Sequence, residues 1–457
     1  MAVKLYIFDE SKLMLAANLD AVGYALSDFN PPAGLVPDGP SNNPWQALGP
    51  DDKPIIQSPA AGLGYGWSFE VGSAAEARTL IDDFRNRARS IGRADISRVL
   101  GIDVTPSSMG LAERGQHWCS NSGHGYHFGT RRLGRGLIAA GALDDKGLTG
   151  KGVKVFLVDQ GVSQTYIEGL GGTYGGGMSW KVDGEVKFPG QGSSNDVRLP
   201  NQHGSMMMRS LIELAPDAHY YDLPMIPGRI TDVESFTMKA LFGFLFLRYV
   251  YLSQPGPWVI LNAWGIVDRF AESLRGYYTN DPDHYLNNLV KLIAQKHDVV
   301  FAAGNSGQFC SDPRSTVYDR GPSRSIWGAN GLSDVTSVGA VRTDGTWIGA
   351  SSQGPGPEGF VTETDTETPK KPDLCAPSWF VENNNAHLRS GGTSSASAVV
   401  AGAIAALREG WDVSAVAPAG MRIALQDGAR RVTSPGWNER TGFGILNLKG
   451  TMTQLPA

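Results

Sequence analysis

The sequence predicts an α/β fold: a three-layer α/β/α sandwich with a mainly parallel central sheet, preceded by a smaller N-terminal α+β domain. Two observations carry this. From about residue 131, short apolar runs without polar alternation recur, with helical patterns between them. Strands buried on both faces read this way, and parallel sheets covered by helices bury them so. Before that point strand-like runs are fewer, and a long Pro-, Gly- and Asn-rich loop over 31–59 separates them.

The elements follow in chain order. Lys4–Phe8 and Trp67–Val71 read as strands. Over 74–90, Ala77, Leu80, Ile81, Phe84 and Ala88 recur at helical spacing. Residues 1–115 are therefore expected to form one domain, 116–130 a polar linker and 131–457 the main domain. In the main domain Val153–Val158, Trp258–Leu261, Val299–Ala302 and Val335–Val341 are candidate strands. Thr231–Leu252 and Leu286–Lys296 read as helices between them, and Ser395–Leu407 as a helix apolar on nearly all sides. The glycine-dense run 169–177 lacks the lysine and hydroxyl residue of a phosphate loop, so it carries no nucleotide expectation.

Composition narrows the function. The chain has 457 residues, 41% hydrophobic and 19% charged, with a formal net charge of -5. Two domains are the prior for that length. Charges of both signs are mixed along the chain, which argues against nucleic acid as a partner. The most apolar window, 240–252, is interrupted by Arg248 and too short to cross a bilayer, so no membrane partner is expected. Met1–Glu10 lacks a secretory pattern, and Cys119, Cys310 and Cys375 are too few and too odd for a disulfide framework. A cytoplasmic setting is the simplest expectation. His117, Cys119, His124 and His127 cluster before the main domain, but their spacing matches no common zinc module, and a His-containing linker is the plainer reading. No metal or cofactor is expected.

Four segments carry chemistry. Asp159 follows the run Val153–Val158 directly. His203, in Asn201-Gln202-His203-Gly204-Ser205, opens an apolar helix. Asn305, in Ala303-Gly304-Asn305-Ser306-Gly307, follows another strand. Ser394, in Gly391-Gly392-Thr393-Ser394-Ser395, stands on a glycine turn that feeds a small-residue helix. Each alone has a plain structural explanation. Together they set an acid, a base, an amide donor and a hydroxyl nucleophile at the edges of buried elements. In parallel sheets, sites form beyond the carboxyl ends of the strands.

That order and those flanks resemble the subtilisin-like serine proteases, the subtilases. Further segments extend the resemblance: Gly150–Val155, Ala215–Ala218, Ser351–Pro355, Lys371–Pro377 and Gly442–Asn447. It implies a serine endopeptidase with Ser394 as nucleophile, His203 as general base and acid, and Asp159 orienting the imidazole. Asn305 and the N–H of Ser394 would form the oxyanion hole. Ala263, Trp264 and Gly265 would bind an extended protein or peptide substrate. Ala398 stands where the family usually has Pro, and Ser205 where it usually has Thr. The segment after His203 is too short for the family's usual calcium loop, so calcium is not expected. The N-terminal domain is either a segment inhibiting in cis or a docking domain. A peptide ligase on the same residues and a catalytically silent binding protein remain alternatives.

Overall fold

The computed structural model describes residues 129–182, 184–192, 203–227, 233–269, 278–309, 311–312, 314–360, 367–382, 385–432 and 436–457, with Thr79 and four strands before residue 112. The chain divides into two compact units. One comprises Met1–Ser107, Asp232–Pro255 and Phe270–Leu292; the other comprises Ser108–Thr231, Gly256–Arg269 and Ile293–Ala457.

In the first unit, β1 (Val3–Phe8) pairs antiparallel with β2 (Gly66–Val71) and β3 (Gly101–Asp103), in the order β2-β1-β3. Leu5 lies opposite Phe69 on one side and Ile102 on the other. β1 and β2 match the sequence expectation; β3, at three residues, is too short to leave a pattern. Of the helix expected over 74–90, only Thr79 lies among the described residues, and it is helical. The helix expected over 231–252 is Val233–Phe246, continued by a π-helical turn at Leu247–Tyr251. That expected over 286–296 is Tyr285–Ala294.

The second unit begins with β4 (Ser108–Leu111), then β5 (Lys154–Val158), β6 (Thr173–Gly177), and the hairpin β7 (Trp180–Val182) and β8 (Glu185–Lys187). There follow β9 (His219–Leu223), β10 (Trp258–Asn262), β11 (Trp264–Asp268), β12 (Asp298–Ala302), β13 (Thr336–Val341), β14 (Leu374–Pro377), β15 (Phe380–Glu382) and β16 (Asn385–Ser390). Seven of these form the central sheet in the order β14-β13-β12-β10-β5-β9-β6. Every pair in it is parallel. After β5 the chain builds outward to β6 and back to β9; it then crosses to β10 and proceeds the other way. The strand order therefore reverses between β5 and β10, where a parallel sheet opens a crevice at its carboxyl edge.

The helices of this unit are α1 (Arg131–Leu137), α2 (Gly141–Lys146), α3 (Gln164–Gly169), α4 (His203–Leu214), α5 (Gly392–Gly410), α6 (Pro418–Gly428) and α7 (Leu448–Thr453). Val155 and Leu157 of β5 share one core with Met206–Met208 of α4 and Ala396–Leu407 of α5. Residues 392–408 of α5 are buried throughout, as its apolar circumference predicts. At Gly402, α5 passes α4 so closely that a Cβ would stand 3.1 Å from the Leu211 carbonyl oxygen and 3.2 Å from that of Ser210. At the other end of α5, buried Arg408 clasps Asp298 at the start of β12, with N–O distances of 2.6 and 2.7 Å. The glycine run 169–177 resolves into the end of α3 and the edge strand β6, where Gly175 faces the Tyr221 ring and Gly177 faces the Asp222 carbonyl. Its glycines serve close packing. Among the described residues no helix is long and apolar enough to cross a membrane.

Candidate active site

Asp159 leaves β5 at the carboxyl edge with its backbone held to the neighbouring strand. Its N–H donates to the Leu223 carbonyl at 3.2 Å, and its own carbonyl accepts from Ile226 at 3.0 Å. Its side chain meets His203, the first residue of α4. The ring Nδ1 lies 2.7 Å from Oδ2 and 2.9 Å from Oδ1, with both side chains fully buried. A carboxylate accepts, so Nδ1 carries the hydrogen and Nε2 is left as the ring's acceptor. Nε2 has no hydrogen-bond partner among the described residues. Two glycines make the approach of α4 feasible. Gly161 holds a φ of +104°, which side chains resist, and a Cβ on Gly204 would collide with the Gly161 carbonyl oxygen.

Ser394 and Asn305 arrive from the other side of the crevice. Gly392, at φ +69°, turns the chain into α5, so the backbone N–H groups of the first turn have no intrahelical partner. The Ser394 hydroxyl donates to the Ala263 carbonyl at 3.3 Å, which ties the helix start to the end of β10. The Asn305 amide is oriented by Thr393: its Oδ1 accepts from the Thr393 N–H at 3.0 Å and from Thr393 Oγ1 at 3.2 Å. The same hydroxyl accepts from the Gly304 N–H at 3.1 Å. With Oδ1 so engaged, the Nδ2 end is the one turned away from Thr393. A helix N-terminus beside an amide donor favours developing negative charge.

Ala263, Trp264 and Gly265 form the bend from β10 into β11. The Trp264 indole is fully buried, donates to Asn262 Oδ1 at 3.2 Å and meets Phe301 edge-on with ring centroids 5.6 Å apart. It is a core side chain; what this residue offers at the surface of the crevice is backbone. Asn330 braces that backbone from behind, donating from Nδ2 to the carbonyls of Trp264 at 2.7 Å and Ala302 at 2.8 Å. On its edge β11 pairs antiparallel with β4, with Leu111 opposite Trp264 and Gly110 opposite Gly265.

The profile of the family described as Peptidase_S8, Subtilase family, matches residues 150–444, a span that takes in Asp159, His203, Asn305 and Ser394. The chain belongs to the subtilase family. Several solved structures are similar to this chain, at low sequence identity. MycP1 with the N-terminal propeptide removed is 17% identical, at a TM-score of 0.45 over 70% of this chain and 96% of that one. Fervidolysin from Fervidobacterium pennivorans, a keratinolytic enzyme related to subtilisin, is 14% identical, at 0.49 over 99% and 61%. A serine protease of Aeromonas sobria is 16% identical, at 0.46 over 67% and 60%. No curated protein matches.

Two further residues of this subtilase stand at the site and were not singled out from sequence. Thr393 adjoins Ser394 and escapes notice because the serine dominates the motif. Asp222 is a lone acid in Tyr220-Tyr221-Asp222-Leu223, at the carboxyl end of a parallel strand. Its strand was not recognised, and with it the position of the acid. Among the described residues no group of His, Cys, Asp or Glu could hold a metal ion. The His117–His127 cluster lies outside those residues. Cys375 is a free, buried thiol whose pKa is pushed up by burial, which makes it a poor nucleophile.

Proposed function

We propose that this subtilase is a serine endopeptidase working through an acyl-enzyme. Ser394 Oγ attacks the scissile carbonyl while His203 Nε2 takes its proton and later returns it to the leaving amine. Asp159 holds the ring with Nδ1–H inward and stabilises its charged form. The Asn305 amide and the Ser394 N–H receive the oxyanion. The observation that carries this reading is the fully buried Asp159–His203 couple, 2.7 Å apart, in a chain whose Ser394 starts α5 beside Asn305. The nucleophile–base contact commonly tightens only once substrate is bound, so an unpartnered Nε2 is compatible with it.

The substrate would add as a strand to the edge of β11, its backbone paired by Trp264 and Gly265 next to Ala263. The chain's own β4 supports this, because it pairs with that edge as an extended peptide would. The same pairing favours inhibition in cis by the N-terminal region over a docking role.

A fluorophosphonate probe tests the assignment. The wild-type chain, after release of its N-terminal region by limited proteolysis, is expected to label at Ser394, and Ser394→Ala is expected not to. Wild-type protein that stays unlabelled overturns the protease reading. Labelling that survives in Ser394→Ala overturns the nucleophile.

A further inference from the structure

Asp222 is fully buried, and the catalytic scheme above does not use it. In the sheet it pairs with Leu157, two residues before Asp159. Residues two apart on a strand share a face, so both carboxyls project from the sheet on the side where Leu157 joins the core shared with α4 and α5. Asp222 Oδ2 accepts the N–H of Val162 at 3.2 Å and of Gly190 at 3.1 Å. Oδ1 has no hydrogen-bond partner among the described residues. The carboxyl thereby grips the turn Asp159–Val162 at the far end from Asp159. That turn carries the Gly161 carbonyl, against which Gly204 and the first turn of α4 rest.

We propose that Asp222 is a positioning residue for the Asp159–His203 couple: through Val162 and Gly161 it fixes the turn that presents Asp159 and seats the start of α4. This rests on the protease reading of the site.

A purely mechanical anchor would need no acid, since an amide oxygen accepts the same two N–H groups. The acid adds charge to the role. Burial pushes the Asp222 carboxyl up to about 7, against the pull of the bonds from Val162 and Gly190; the charge of Asp159 adds to the rise and Lys187 of β8 opposes it. β6 carries the phenol of Tyr174, and α4 carries His203, with Arg209 and Glu213 further along it paired to Glu382 and Arg131. Around neutrality the face therefore passes from one anion to two. A second anion favours the protonated imidazole and withholds the base.

The test compares wild type, Asp222→Asn and Asp222→Ala by kcat and KM on a peptide substrate from pH 5 to 9. Active sites are counted beforehand with the fluorophosphonate probe. Asn keeps the anchor and loses the charge: kcat at pH 8 is expected within about threefold of wild type. Its acidic limb of kcat/KM is expected to move down by roughly half a pH unit. Ala loses both: kcat is expected to fall about tenfold or more with KM within about twofold. An Asn profile superimposable on wild type, or an Ala variant with wild-type kcat, overturns the proposal. If Ala shows no melting transition, the Asn profile alone decides. Wild-type protein that does not label overturns the protease reading instead, so the two failures are distinguishable.

Discussion

The two sides of the crevice are built by different means. On one side, Asp159 and His203 are held by charge: a buried carboxylate on an imidazole, Asp222 behind the turn, and further ion pairs along α4. Arg131 is buried and bridges Glu382 Oε2 at 2.5 Å and Glu213 Oε2 at 3.0 Å, while Arg209 reaches Glu382 Oε1 at 3.2 Å. On the other side, Asn305 and Ser394 are held by neutral groups, namely Thr393, the Ala263 carbonyl, and the Ser397 hydroxyl donating to the Ser394 carbonyl at 2.7 Å. The difference follows from the work on each side. In the proposed mechanism His203 must gain and lose a proton, and fixed charges nearby bias that step. The proposed oxyanion donors must stay neutral and immobile, and short hydroxyl and backbone bonds hold them without adding a field of their own.

Four changes would break or sharpen this contrast. The largest effect is expected on the charged side. Arg131→Ala leaves Glu382 and Glu213 short of a buried partner and is expected to cost ~3–5 kcal/mol of stability, measured by urea denaturation. On the neutral side, Asn305→Ala removes the proposed oxyanion donor. kcat is expected to drop about 10²–10³-fold with KM little changed, and a melting transition like that of wild type separates this from loss of folded protein.

Next comes a pH test. The folded Asp222 carboxyl titrates at about 7, whereas unfolded it ionises near the ordinary carboxylate value. Between those values the unfolded chain binds fewer protons, so stability falls as pH rises. Asp222→Asn removes that fall, and its advantage over wild type is expected to widen by ~3 kcal/mol from pH 4 to pH 7. Melting curves at the two pH values check this. The smallest effect is expected from Thr393→Val, which removes the hydroxyl bond to the Asn305 amide and leaves the backbone one. kcat should fall about fivefold, corresponding to one hydrogen bond of ~1 kcal/mol, with a pH profile parallel to wild type. A shifted profile there would contradict the division between charged and neutral sides.

Much of the catalytic unit was legible because its central strands are buried on both faces. β5, β10, β12 and β13 are nearly continuous apolar runs. β9 and β14 were not legible as strands, since Asp222 interrupts one and Cys375 and Pro377 lie in the other. β6, with three glycines in five residues, has no side-chain pattern to read. Asp159, His203, Asn305 and Ser394 were legible as a set because each marks the edge of such an element. What sequence could not give was direction. It placed Trp264 at the crevice, and the structure turns its ring into the core against Phe301. Nor could it show that Ser108–Leu111, read from sequence as part of the N-terminal domain, pairs with the edge of β11.

The close passage at Gly402 has a consequence remote from any chemistry. His203 begins α4 and Ser394 lies in the first turn of α5, so the gauge between the proposed base and nucleophile is set by how near these two helices run. That spacing is fixed by a missing side chain two turns away. A methyl group at Gly402 would act as a shim, leaving each reacting group intact while holding the two apart.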